Sequence, residues 1–188
     1  MSHIIETLMK EHRLIERVLD SLESFVNQLE PGQRDARQNI ADYAEFFREF
    51  ADRCHHGKEE DQLFEALGGH GFPRDAGPLF VMVGEHNMGR ARIKELSAIA
   101  DGDGPLISAE LDQVRASAGA FISMLRMHIQ KEDEILFPAA ENALPTAALQ
   151  ELASGFDEFE RTVMGDGVHK KLHALGEKLT GEFPPLNA

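Results

Sequence analysis

Two stretches of ten residues, HHGKEEDQLF (residues 55–64) and HIQKEDEILF (residues 128–137), repeat one pattern within a single chain. Each stretch has a histidine, a glutamate four residues later, and a Leu-Phe pair eight and nine residues after the histidine. Side chains four residues apart on a helix lie on the same face, with about 5–6 Å between Cβ atoms. Each stretch therefore predicts a His-Glu pair on one face of a helix, His55 with Glu59 and His128 with Glu132.

Helical periodicity extends outward from both repeats. Apolar residues recur at steps of three and four from Ile5 to Leu29, and Pro31-Gly32 then ends the segment. Similar stripes predict helices over about 35–67, 79–100 and 106–143, separated by Gly- and Pro-containing loops, and shorter helices near 146–163 and 167–183. No convincing alternating strand pattern is present. The pattern predicts an all-α protein: an up-down-up-down antiparallel four-helix bundle over residues 1–143, with a C-terminal helical extension over 144–188 packed on it.

Polar residues interrupt the apolar stripe of every bundle helix. The two His-Glu pairs lie on the second and fourth helices, while His12 and His86 lie on the first and third. An unpaired buried charge costs several kcal/mol, so these groups need a partner. Imidazoles and carboxylates suit Fe, Mn or Zn, and six donors fit two ions with the two carboxylates bridging. The predicted metal ligands are His12, His55, Glu59, His86, His128 and Glu132.

Two neighbouring pairs compete with this assignment. The His56–Glu60 pair has the same spacing, but the Leu-Phe register of the repeat selects the His55–Glu59 pair. A step of about 100° per residue turns His56 away, toward Asp52 and Glu49. Glu16 follows His12 by four residues without a downstream Leu-Phe, so we interpret it as a flanking residue or an outer partner of the site.

Composition narrows the class of protein and its partners. The chain has 188 residues and a formal net charge of −14, which argues against nucleic acid as a partner. We find no run of 18 apolar residues and no secretion signal, so no membrane partner is expected. The single cysteine, Cys54, cannot form an intramolecular disulfide, which favours the cytoplasm. No protein partner can be named from the sequence.

The order His, HxxxE, His, HxxxE resembles the hemerythrin-like HHE cation-binding family over roughly residues 3–140. The resemblance implies a non-haem di-iron centre with an oxo or hydroxo bridge, held by the six residues named above. Manganese or zinc could occupy the same ligands. One position separates this chain from the oxygen-carrying members. Those members resemble five-histidine sites with a second histidine four residues after the third-helix histidine, whereas here Arg90 stands four residues after His86.

The resemblance to the bacterial members implies binding or sensing of a small oxidant, namely O2, nitric oxide or peroxide. Two alternatives stay open: a catalase-like peroxidase or nitric oxide reductase at the same centre, and iron supply for iron–sulfur repair. Whether the protein is an enzyme is therefore undecided by the sequence, and no residue is assigned a catalytic role.

Other residues are expected to have structural roles. Cys54 is predicted to be a buried packing thiol. His169 and His173 stand four apart and are predicted to lie on an exposed amphipathic helix. The apolar walls of the site are predicted to include Phe47, Met82, Phe121, Met124 and Leu125.

Overall fold

The computed structural model describes residues 1–185, which form helices and connecting loops without a β-strand. Helix α1 spans His3–Asn27, α3 spans Gly77–Ala100 and α6 spans Val168–Glu182. The other three helices contain π-helical turns. Helix α2 comprises Ala36–Phe46, the π-helical segments Phe47–His56 and Glu59–Leu63, and Phe64–Gly68. Helix α4 comprises Ser108–Lys131, π-helical Glu132–Leu136 and Phe137–Ala143, and α5 comprises Thr146–Phe159 and π-helical Glu160–Met164.

The all-α prediction is confirmed. The helices end close to the positions predicted from the Gly and Pro residues of the sequence. Helix α4 begins at Ser108, two residues later than expected, because Ile107 has an extended backbone. The N–H group of Ile107 donates to Glu110 Oε2 at 3.0 Å. This contact satisfies one of the free N–H groups at the start of the helix.

The four long helices pack so that α3 contacts α2 and α4, while α1 contacts α4 and α2. Their apolar residues form two separate core sections. The larger section extends along the bundle from Leu14, and the smaller one lies around Ile4, Leu63, Leu79 and Leu136. On α1, α2 and α3 the predicted ligands fall between residues of the smaller and the larger section. On α4, Glu132 falls between Ile129 of the larger section and Leu136 of the smaller one. The polar residues therefore form a layer inside the bundle, between two apolar layers.

The C-terminal helices α5 and α6 pack on the bundle, and α6 contacts α1 and α2. Gly176 of α6 makes this approach close, since a Cβ atom there would lie 2.8 Å from Phe46 Cε2 and 3.1 Å from Leu14 Cδ1. The predicted extension includes residues 186–188, which lie outside the described residues. Within residues 1–185, no helix combines the length and apolarity needed to cross a bilayer.

Candidate metal centre

All six predicted ligands come together in the polar layer. Helices α1 and α3 contribute one histidine each, and α2 and α4 contribute one histidine and one glutamate each. Every one of these side chains is at most 1% exposed. Burial of four imidazoles and two carboxylates at one depth in a bundle is the arrangement that the two sequence repeats predicted.

The histidines meet in pairs through their Nε2 atoms. His12 Nε2 lies 2.9 Å from His55 Nε2. His86 Nε2 lies 3.1 Å from His128 Nε2. Donor atoms that lie 2.0–2.2 Å from a shared ion are roughly 3 Å apart, so both separations match ligands of one ion.

The two glutamates lie between the histidine pairs. Glu132 Oε2 is 3.3 Å from His12 Nε2 and 3.2 Å from His128 Nε2. Glu59 directs Oε1 toward His55 at 3.5 Å and Oε2 toward His86 at 3.6 Å. Each carboxylate therefore approaches one histidine of each pair, which is the position of a bridging ligand.

Neither glutamate accepts a hydrogen bond from any residue that the structure describes. All four carboxylate oxygens of Glu59 and Glu132 are buried and have no hydrogen-bond partner among the described residues. A buried carboxylate without compensation is strongly destabilising, and buried charges in proteins are paired or bind metals. The donor set thus fits cations placed between the Nε2 atoms and the carboxylate oxygens.

The other ring nitrogen of each histidine, Nδ1, contacts a carboxylate from a neighbouring helix, at 2.6–2.9 Å. We call these four acids the outer carboxylates. When the carboxylates are ionised, each Nδ1–H donates to its partner, and each Nε2 keeps its lone pair for a metal ion. The pairs are His12 with Asp133, His55 with Glu11, His86 with Glu60, and His128 with Glu85.

The outer carboxylates form a cycle around the bundle, because each helix supplies an acid to the histidine of the next. Each acid also contacts a cation. These cation contacts pair Arg13 with Asp133, Lys58 with Glu11, Arg90 with Glu60, and Lys131 with Glu85. The arrangement balances the outer negative charges and orients every imidazole.

Apart from Glu16, the sequence prediction named no outer partners, although the sequence contains a signal for them. Both repeats read Lys-Glu-acid, and the acid after the bridging glutamate is Glu60 in one and Asp133 in the other. Glu11 and Glu85 each directly precede a ligand histidine. Glu16, considered as an outer partner, instead pairs with Arg13 at 3.1 Å.

His56 lies in the site, which corrects the prediction that helical geometry turns it away. Its ring stacks on His86 with centroids 3.8 Å apart, and it can share an ion with Glu59, His86 and His128. The predicted proximity to Asp52 is also present, at 3.3 Å from Nδ1. The physical reason is the π-helical segment Phe47–His56, whose wider turn changes the angular step assumed for an α-helix. The two histidine pairs therefore have unequal surroundings.

The ionisation of the ligands reflects the crowding of charge. Burial lowers the pKa of His128, but the Glu132 and Glu85 carboxylates together outweigh burial and raise this pKa to about 9. Burial and the charge of Glu132 raise the pKa of Glu59 well above its usual value. Burial and the neighbouring His12 lower the pKa of His55 to about 3. A proton shared by His128 and Glu132, whose Nε2 and Oε2 atoms are 3.2 Å apart, would balance part of this charge without a cation. Both oxygens of Glu59 would still have no hydrogen-bond partner among the described residues.

A pocket of about 330 Å³ leads from the surface to His86 and His128, which we call the second histidine pair. Its inner end is formed by His56, His86 and His128. Four of the five predicted wall residues line it, and Met82 lies instead in the smaller core section. The four are Phe47, Phe121, Met124 and Leu125.

The remaining predictions concern the C-terminal helices and the cysteine. Cys54 is fully buried, and burial raises the pKa of its thiol to about 12. His173 is exposed as predicted, but the prediction for His169 is wrong, because its side chain is only 34% exposed. His169 Nε2 lies 3.5 Å from Glu11 Oε1, so α6 reaches the outer carboxylate of His55.

Residues 3–140 match the family model described as Hemerythrin HHE cation binding domain. The chain belongs to this family, and it is a metal-binding protein of the hemerythrin-like class. An uncharacterized protein of Mycobacterium bovis and those of two strains of Mycobacterium tuberculosis are each 23% identical to it over 161 residues. The match covers 86% of this chain and 62% of each relative. No solved structure matches the chain significantly.

Proposed function

We propose that the protein holds two iron ions in the bundle core and binds or senses a small oxidant there, namely O2, nitric oxide or peroxide. The observation that carries the proposal is the set of buried carboxylate oxygens on Glu59 and Glu132, which lie between two histidine pairs without hydrogen bonds. Paired iron ions would supply a two-electron redox couple beside the pocket. We propose His12, His55, Glu59, His86, His128 and Glu132 as the ligands, with His56 as a further donor.

The chain's own residues would prepare the site in three ways. The outer carboxylates hold the Nδ1 protons and leave each Nε2 free. The two apolar core sections exclude water above and below the polar layer, which strengthens electrostatic interactions inside it. The pocket gives a small neutral molecule access to the second histidine pair through apolar walls.

Metal analysis of anaerobically purified protein tests the proposal. We expect about two iron ions per chain, as for two-metal sites with bridging carboxylates, and absorption in the near ultraviolet after oxidation. The Glu59→Gln variant should lose most of its iron, because an amide is a poor bridging ligand. Glu134→Gln, which changes an exposed glutamate in the second repeat, is the control and should keep its iron. Equal iron content in both variants, or less than about one ion per chain in the unchanged protein, would contradict the proposal.

Measuring whether the protein consumes peroxide or nitric oxide catalytically distinguishes ligand binding from the enzymatic alternative. The pocket favours both, because it admits a ligand to the second histidine pair. Peroxide added to the iron-loaded protein in a stopped-flow instrument should give a stable spectral change if the protein binds or senses its ligand. Rapid evolution of O2 would instead identify a catalase-like enzyme, and consumption of nitric oxide in the presence of a reductant would identify a reductase.

A further inference from the structure

We propose that the pocket beside the second histidine pair binds a small amphipathic organic anion, a carboxylate with an apolar body of about six to twelve carbon atoms. The apolar body would lie against the pocket walls, and the carboxylate would lie at the mouth. The proposal concerns the pocket itself, so it goes beyond the proposed function and does not depend on which ion the site holds.

The first argument is volume. The pocket measures about 330 Å³. A single water, which is close in size to O2 or nitric oxide, requires only about 10–15 Å³ measured in this way, and an apolar cavity of about 150 Å³ holds benzene. A pocket that served only diatomic ligands or peroxide would need a small part of this space.

The second argument is the chemistry of the walls. Apolar side chains from three helices enclose the pocket between its mouth and the histidines. Small-molecule sites in proteins have this composition, with a few polar groups that fix orientation. The wall residues used here are Phe47, Ala51, Ile93, Phe121, Met124 and Leu125.

Gly89 keeps the pocket open on the α3 side. It is buried and lines the pocket, and a Cβ atom there would lie 3.3 Å from Met124 Cε and 3.5 Å from Phe121 Cε2. Any larger side chain at this position would therefore occupy the pocket or push against its walls. Gly84 is on the same helix, is exposed, and has nothing within 4 Å of a Cβ position.

The third argument is the charge of the mouth. Arg48, Arg90 and Lys94 line the pocket in a protein whose formal net charge is −14. Arg90 already contacts Asp52 and Glu60, whereas Lys94 forms no ion pair within residues 1–185. Within the described part of the chain, Arg48 pairs only with its sequence neighbour Glu49, at 3.1 Å.

Two acids, Asp52 and Glu85, also line the pocket. Asp52 pairs with Arg90 at 2.8 Å, and Glu85 pairs with Lys131. Because these acids already have partners, an anionic end group would find Lys94 without a competing acid.

Calorimetric titration of the purified, metal-loaded protein with octanoate tests the proposal. We expect saturable binding of octanoate, binding at least tenfold weaker for octan-1-ol, and no detectable binding of octylamine. Acetate is the control for direct coordination to the metal, because it has the carboxylate without the apolar body. Acetate binding as tightly as octanoate, octan-1-ol binding as tightly as octanoate, or no binding of octanoate at millimolar concentration would overturn the proposal.

Pairs of variants, one at the pocket and one away from it, test whether octanoate binds in the pocket. Gly89→Leu should weaken octanoate at least tenfold, whereas Gly84→Leu on the same helix should not change it. Lys94→Glu should weaken octanoate and leave octan-1-ol unchanged. Lys170→Glu makes the same charge change on α6, which does not line the pocket, and should have no effect.

The metal content of each variant is measured in the same samples, so loss of iron and loss of octanoate binding are distinguished. Lys94 is exposed, so this variant should fold even if Gly89→Leu does not. Octanoate binding that survives Gly89→Leu, or that falls equally in Lys94→Glu and Lys170→Glu, would contradict binding in this pocket.

Discussion

The outer carboxylates decide which ring nitrogen of each histidine faces the centre. A hydrogen bond from Nδ1 to an acid fixes the tautomer and orientation of the ring, and it also makes the other nitrogen a better metal donor. In this protein all four histidines that the sequence predicted as ligands have such a partner. The shortest of these contacts joins His86 Nδ1 to Glu60 Oε1 at 2.6 Å.

Removing one outer charge should weaken metal binding without removing a ligand. Asp133→Asn keeps a hydrogen-bond acceptor for His12 but loses the carboxylate charge, so we expect metal affinity to fall about 10–100-fold. Competition with a chelator of known affinity measures the change. Glu134→Gln, at the next position, is the matched control and should keep the affinity of the unchanged protein. An unchanged affinity in Asp133→Asn would show that the contact does not tune the site.

Tyr43 provides a test of burial within the larger core section. Its side chain is fully buried, and its hydroxyl lies 2.6 Å from Ser21 Oγ, which itself donates to the Leu179 carbonyl at 2.8 Å. Burial raises the pKa of Tyr43 more strongly than the contact with Ser21 lowers it. The folded state therefore holds the phenol proton above the pH at which the unfolded chain releases it.

The sign of the resulting pH dependence follows from linkage. Below about pH 10, the usual pKa of tyrosine, both states are protonated and Tyr43 adds no slope. Above that pH only the unfolded state loses its proton, so the free energy of unfolding falls as pH rises. Because the chain has one tyrosine and no tryptophan, absorbance at 295 nm follows this residue alone. Half-ionisation near pH 10 in the folded protein would contradict the prediction, and Tyr43→Phe should lack this contribution to the slope.

At the scale of elements, helix positions were predictable because local chemistry determines them. Apolar residues at steps of three and four defined the stripes, and Pro31-Gly32 and the loop before Gly77 ended them. The π-helical turns were not predictable in this way. The backbone changes there from α-helical to π-helical hydrogen bonds, and no particular residue type marks that change. His56 shows the consequence, since its place in the site depends on the backbone of Phe47–His56. Predicting which acid pairs with which histidine requires knowing which helices are neighbours, and a single repeat does not contain that information.

Contact between α6 and the bundle depends on a residue without a side chain. At Gly176 a Cβ atom would lie 2.8 Å from Phe46 Cε2 and 3.3 Å from Val18 Cγ2. Phe46 and Val18 belong to the fully buried core, so neither can move away easily. Gly176→Ala should therefore lower the free energy of unfolding by about 1–3 kcal/mol, the usual cost of overpacking, despite the better helix propensity of alanine.

Gly181 is the matched position for this test. It lies on the same helix, and apart from its chain neighbours and its own helix backbone no atom of residues 1–185 lies within 4 Å of a Cβ position there. Gly181→Ala should therefore be neutral or slightly stabilising. Denaturant unfolding of both variants measures the difference. Helix α6 supplies none of the proposed ligands, so the metal content should stay unchanged in both. Equal stability of the two variants would show that the close approach at Gly176 does not limit packing.

At the scale of the whole molecule, the polar layer would couple the folding of the bundle to metal binding. The layer separates the two apolar core sections, so every bundle helix crosses it with at least one buried ligand group. The bridging positions of Glu59 and Glu132 connect α2 and α4 to histidines on all four helices. A cation held by the six proposed ligands would link the four helices, and its binding energy would contribute to folding.

Removal of the metal should therefore lower the stability of the entire bundle. A ligand at about 1,000 times its dissociation constant adds about 4 kcal/mol, and for a chain of this size each kcal/mol shifts the melting temperature by about 2–4 °C. We expect a chelator to lower the melting temperature by roughly 10 °C on this basis, and restored metal to reverse the change. Glu59→Gln should melt at the same temperature with and without chelator, because it has lost the bridging ligand. If the chelator does not change the melting temperature of the unchanged protein, the buried carboxylates are compensated by protons rather than by metal.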